Sequence, residues 1–112
     1  MANEIQNNGL YVIMNVRSRT VFDLNDGGSG NGTKVQGWDF SYNSAGENQV
    51  WQFQRENDAW RIINGKSGTS LDLNNGSANN GTKIQGWQKG DTDAQRWILD
   101  RVPGNRQVAR WT

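Results

Sequence analysis

One hundred and twelve residues suffice for a single domain, 1–112, with one modest core. A net charge of +1 supplies no field to recruit nucleic acid or an anionic membrane, so neither is expected as a partner. The absence of cysteine and histidine excludes a disulfide framework, thiol chemistry, and the commonest general base and metal ligand; no metal site and no cofactor are expected.

Fourteen glycines with only 33% hydrophobic residues mark a polar, turn-rich globular chain. The first residues, MANEIQNNGL, lack the basic start and apolar stretch of a secretion signal. No apolar run is long enough to span a membrane. The expected location is the cytoplasm, or outside the cell by release without a signal peptide.

In chain order, residues 10–16 (LYVIMNV) are rich in β-formers and predict a strand. Residues 21–25 alternate apolar with polar and predict a second. A Gly/Asn/Ser stretch follows and ends at Asn31-Gly32, a hairpin signal because both residues tolerate positive φ. Runs 34–38 and 50–54 complete four strands. The pattern then starts again at 60–64, 70–74, 83–87 and 96–100, with Asn80-Gly81 at the matching turn. No window carries a helical period, so the reading is all-β.

The restart is a true internal repeat. Residues 20–38 read TVFDLNDGGSGNGTKVQGW and residues 69–87 read TSLDLNNGSANNGTKIQGW, in register at an offset of 49 with no gap. Such self-similarity means one supersecondary unit used more than once. Repeat one covers about 10–58 and repeat two about 59–106. Tyr11, Trp60 and Trp111 are similarly spaced, which makes 107–112 a candidate for part of a third first strand. The Asn-Gly-Thr triplets at 31–33 and 80–82 also match a glycosylation sequon, but the turn accounts for them fully. Arg96, Arg101, Arg106 and Arg110 read as a solvated rim.

Gln49-Val50-Trp51 and Gln95-Arg96-Trp97 are Gln-x-Trp motifs, each following a Gln-Gly-Trp and an apolar-Asp-Leu in a unit of about fifty residues. With these elements in register twice, residues 10–100 resemble the ricin B-type lectin family. The resemblance implies a β-trefoil, with one departure: the family uses three four-stranded repeats and this chain supplies two. The expected architecture is β-trefoil-like, with the third repeat missing or supplied by another chain. Either the fold closes with eight or nine strands, the C-terminal segment filling the gap in a monomer, or another chain provides what is missing; the expectation is the second, a homo-oligomer and a dimer first of all.

The resemblance also implies a sugar site in each repeat. In the first, Asp23 accepts from sugar hydroxyls, Gln36 and Trp38 provide an amide and a stacking face, Asn48 bonds a hydroxyl shared with Asp23, and Gln49 orients the loop. In the second, Asp72, Gln85, Trp87 and Gln95 match, but Ala94 stands where Asn48 does, and the loop from Trp87 to Trp97 is three residues shorter than that from Trp38 to Trp51. Asp91 and Asp93 are possible substitutes, and Phe40 and Tyr42 possible stacking partners.

Other roles remain open for some of these residues. Asp23 and Asp72 suit turn caps as well as hydroxyl acceptors, and their place inside the strand pattern favours binding. Trp38 and Trp87 suit packing as well as stacking. Trp51, Trp97, Trp60 and Tyr11 are expected in the core. The function expected is a non-catalytic, carbohydrate-binding lectin for galactose-type sugars, made multivalent by its repeats. The alternative is a trefoil protease inhibitor acting through its loops, which has no use for the Asp/Gln/Trp/Asn/Gln set. A glycosidase is disfavoured because repeat symmetry sets Asp23 and Asp72 apart. A module severed from a larger glycoside hydrolase is disfavoured by the lack of cysteine and of a secretion signal.

Overall fold

The computed structural model describes residues 4–41 and 44–99. Seven strands form: β1 Gly9–Tyr11, β2 Val21–Leu24, β3 Thr33–Trp38, β4 Trp51–Glu56, β5 Ala59–Asn64, β6 Ser70–Leu73 and β7 Ile84–Trp87. They make one antiparallel sheet in the order β1-β4-β5-β6-β7-β3-β2, joined by short 3-10 turns, with no α-helix among the described residues. This is the all-β, curled arrangement expected for two trefoil repeats.

The repeats interlock rather than sit side by side. Strand β4 of repeat one pairs over its whole length with β5 of repeat two, from Trp51↔Asn64 to Glu56↔Ala59. The two hairpins, β2–β3 and β6–β7, meet through Thr33↔Gly86 and Lys34↔Gln85. The backbone obeys the 49-residue offset up to the loops after Trp38 and Trp87. Among the described residues, every one with positive φ has a partner: Asn8 with Asn57, Arg19 with Gly68, Asp26 with Asn75, Gly27 with Gly76, and Gly32 with Gly81. At the Asn-Gly turns only the glycine takes positive φ, so these are not the doubly left-handed turns that Asn-Gly favours.

Two expected strands are shorter than read. The 10–16 run yields β1 and an isolated bridge, Met14↔Val21. The 96–100 run yields only the bridge Trp60↔Trp97, closed by N–H···O bonds of 2.8 and 2.9 Å. Its counterpart β4 has two neighbours, β1 and β5, whereas, among the described residues, 96–99 have β5 alone. A ladder with one partner is easily cut to a single rung. The proposed strand at 107–112, Tyr42, and Arg101, Arg106 and Arg110 lie outside the described residues.

Leu24, Trp51, Phe53, Trp60, Ile62 and Leu71 are the buried core, with Tyr11, Ile13, Ile84 and Trp97 packed against it. Tyr11 meets Phe53 edge-on at 5.3 Å, and Phe53 meets Trp60 at 6.1 Å. The two Gln-x-Trp indoles do the same work in each repeat: Trp51 donates to the Phe22 carbonyl at 3.1 Å and Trp97 to the Leu71 carbonyl at 3.0 Å. A buried indole N–H needs such a partner. Arg96 is not a free rim residue: it bonds Glu56 at 3.2 Å and Asp93 at 3.0 Å.

Candidate functional site

The hairpin register assembles each site. Asp23 on β2 lies opposite Gln36 on β3, and Asp72 on β6 lies opposite Gln85 on β7. Directly opposed residues of an antiparallel pair share a face. Accordingly Gln36 Nε2 donates to Asp23 Oδ1 at 3.1 Å, and Gln85 Nε2 donates to Asp72 Oδ1 at 3.0 Å.

The motif glutamine then arrives from the 3-10 turn before the Gln-x-Trp tryptophan. Gln49 Nε2 donates to Asp23 Oδ2 and to the Asp39 carbonyl, both at 2.9 Å, while its Oε1 accepts from the Ser41 N–H at 2.9 Å. Gln95 repeats every contact: Nε2 to Asp72 Oδ2 and to the Gln88 carbonyl, both at 3.0 Å, with Oε1 accepting from the Gly90 N–H at 2.9 Å. Both carboxylates are buried, and both oxygens of each are held. A carboxylate has about four acceptor positions, so two amide donors fix its plane and leave capacity for further donors.

Site one is a concavity of about 620 Å³ lined by Asp23, Gln36, Trp38, Asn48 and Gln49, and also by Asn25, Asp26, Asp39, Phe40, Ser41 and Lys66. All five residues expected there come together. Trp38 closes the end of β3 with 59% of its surface exposed, an unusual setting for an indole that has only packing to do. Asn48 has a structural duty that the sequence did not show: its Nδ2 donates to the Leu24 carbonyl at 3.0 Å, tying the loop to the end of β2.

Site two is smaller, about 360 Å³, lined by Asp72, Asn74, Asn75, Gly76, Gln85, Trp87, Thr92 and Ala94. Three of its four expected residues are in the lining, and Gln95 stands behind Asp72. Trp87 is 37% exposed. Neither Asp91 nor Asp93 faces this site; Asp93 is bonded to Arg96 instead, and Thr92 occupies the wall.

Three contributions escaped the sequence reading. Asn25 and Asn74 accept a second bond from Gln36 and Gln85 at 3.3 and 3.4 Å. They are identical in the two repeats, so the signal was present. Lys66 reaches site one from repeat two, and only the fold brings it there. Arg61, an arginine in a strand that reads as core, stands behind Gln95, whose Oε1 accepts from its Nη1 at 2.7 Å.

Comparison with known proteins gives this geometry a setting. The model of the ricin-type β-trefoil lectin domain-like family matches residues 47–110, more than half of the chain. Among solved structures, the chain is similar to ThreeFoil, a designed 3-fold symmetric protein: 22% identity, TM-score 0.73, covering 80% of this chain and 63% of that one. It is similar also to the Polyporus squamosus lectin (26% identity, TM-score 0.67, 85% of this chain and 32% of that one) and to the Rhizoctonia solani agglutinin (21%, 0.55, 87% and 97%). No curated protein matches the chain. The chain thus spans 63% of the designed trefoil, close to two of its three equivalent units. With the repeat, the buried Asp–Gln pairs and the match over residues 47–110, the chain belongs to the ricin-type β-trefoil lectin domain-like family.

Proposed function

We propose that the protein is a non-catalytic lectin that binds galactose-type sugars, most strongly at site one, and that it presents its sites multivalently as a homo-oligomer. The observation that carries this reading is Asp23, buried and held on both oxygens by Gln36 and Gln49 beside the exposed face of Trp38. A fixed carboxylate accepts from adjacent hydroxyls without further ordering. An indole face suits the apolar side of a pyranose, and the axial hydroxyl of galactose leaves one such face as continuous C–H. The Polyporus squamosus lectin was solved bound to a glycan containing galactose, which supports the same class of ligand. Asp23 and Asp72 each belong to their own glutamine pair, an arrangement that favours holding a ligand over passing protons between carboxylates.

Oligomerisation is favoured by a second observation. An apolar cavity of about 670 Å³ is lined by Ile13, Phe22, Phe53, Ile62, Leu71, Ile84, Trp97 and Leu99 among others, and the exposed Ile98 stands in its wall. Calorimetric titration with methyl β-galactoside tests the sugar reading. Binding in the millimolar to micromolar range, about 4 to 8 kcal/mol, is expected, and Asp23→Ala is expected to abolish it at site one. A folded Asp23→Ala protein that binds as before at site one overturns the assignment.

A further inference from the structure

The two sites share their contacts to the backbone but not what stands behind them. Arg61, on β5, is 1% exposed, and its guanidinium makes five hydrogen bonds. Nε and Nη2 grip Glu56 at 2.7 and 3.3 Å, a bidentate pairing that offsets much of the cost of burying the charge. The other three bonds run toward site two. Nη1 donates to Gln95 Oε1 at 2.7 Å and to Ser70 Oγ at 3.2 Å, and Nη2 donates to the Gly90 carbonyl at 2.8 Å.

Gln95 is the residue that holds Asp72, and Gly90 lies in the loop that is three residues shorter than its counterpart. One cation therefore binds both the amide behind the carboxylate and the loop beside it. A cation on the amide oxygen also makes the amide N–H groups better donors, which tightens the bond to Asp72. Among the described residues, repeat one has nothing equivalent. The residue 49 positions before Arg61 is Val12, which is exposed, and Gln49 makes its three contacts without an arginine.

We propose that Arg61 is a positioning residue of site two, fixing Gln95, Asp72 and the short loop so that a sugar is held there without the amide that Asn48 provides in site one. This rests on the lectin reading above. The arrangement makes the second site a separately tuned one rather than a decayed copy of the first.

The test separates the sites. In an Asp23→Ala background only site two reports, and in an Asp72→Ala background only site one. Arg61→Met is expected to weaken methyl β-galactoside binding at site two roughly tenfold, the loss of one hydrogen bond to a charged group, and to leave site one within about twofold. Arg61→Lys keeps the charge beside Glu56 but loses the fork, so it is expected to restore thermal stability without restoring site two. Equal weakening of both sites, or an unchanged site two, overturns the proposal.

A second readout needs no sugar. The Gly90 amide donates to Gln95 Oε1, and the Ser41 amide makes the matching bond to Gln49. In Arg61→Lys, hydrogen exchange at Gly90 is expected to speed up roughly tenfold while Ser41 is unchanged. Unchanged Gly90 exchange overturns the proposal even if neither site binds galactosides, whereas absent binding with selective loss of Gly90 protection counts against the lectin reading alone.

Discussion

Asn48 and Ala94 occupy corresponding places beside two otherwise matching carboxylates, and the difference is one amide. In site one that amide bonds the Leu24 carbonyl and lines the cavity. In site two the methyl of Ala94 lines the cavity but can make no such bond, and the cavity is about 360 rather than 620 Å³. A lost hydrogen bond between uncharged groups is worth about 0.5–1.5 kcal/mol, so site two should bind galactosides roughly threefold to tenfold more weakly. Ala94→Asn should recover part of that loss. Titration of the two single-site backgrounds checks both statements, and equal affinities would contradict them. At this scale much was readable: the repeat and its Gln-x-Trp motifs carried the resemblance to the ricin B-type family, and that resemblance pointed to nine positions, which the fold gathers into or behind two concavities. Lys66 and Arg61 were not readable, because each reaches residues far from it in the sequence, which only the fold brings together.

Among the elements, the hairpins owe their close approach to the glycine of Gln-Gly-Trp. A Cβ at Gly86 would lie 2.9 Å from Leu24 Cδ1 and 3.0 Å from Thr69 Oγ1, and Leu24 is fully buried in the core with little room to move. Gly37 is less tight, with Thr20 Oγ1 at 3.2 Å. Gly86→Ala should therefore cost about 1–3 kcal/mol by overpacking, and Gly37→Ala less, as read by denaturant unfolding. Strand β5 supplies a second expectation. The hydrogen bond from Arg61 holds the Glu56 carboxyl below its ordinary value of 4.5, aided by the charges of Arg61 and Arg96 and opposed by burial. A carboxyl lowered by folding stabilises the native state above its unfolded pKa, and that stability is lost as pH falls through the lowered native value. The melting temperature should thus drop on acidification below about pH 4.5, and the drop should be shallower in Glu56→Gln. An identical acid limb in the variant would show that the pair contributes nothing. Strand existence was legible from alternation and turn residues, whereas strand length was not. The 96–100 run has the composition of a strand, but its pairing depends on neighbours that local sequence cannot supply.

For the whole molecule, the decisive feature is the apolar cavity of about 670 Å³. The buried Phe53, Ile62 and Leu71 form its wall, and of the residues that line it Val12 and Ile98 are exposed, Ile98 at 75%. Apolar patches of this kind are uncommon on monomers that stay soluble and alone. The two repeats were plain in the sequence, but what covers this cavity was not, since one chain's residues do not say what they face. A second copy is the simplest cover, because it carries the same surface and a two-fold axis makes that surface complementary to itself. The expected species is a dimer of twice 12.6 kDa, with each chain contributing its two sites. Two linked copies raise the apparent affinity for a surface bearing many glycans by a factor of about 10² to 10⁴, so agglutination of galactose-bearing cells is expected. Ile98→Asp places a charge on the proposed contact without touching either sugar site. It should shift light scattering at low micromolar concentration toward the 12.6 kDa monomer, and abolish agglutination while single-site titrations stay unchanged. A wild-type chain that is already a 12.6 kDa monomer under those conditions would refute the dimer and remove the ground for agglutination, leaving the sugar sites to stand on Asp23 and Asp72 alone.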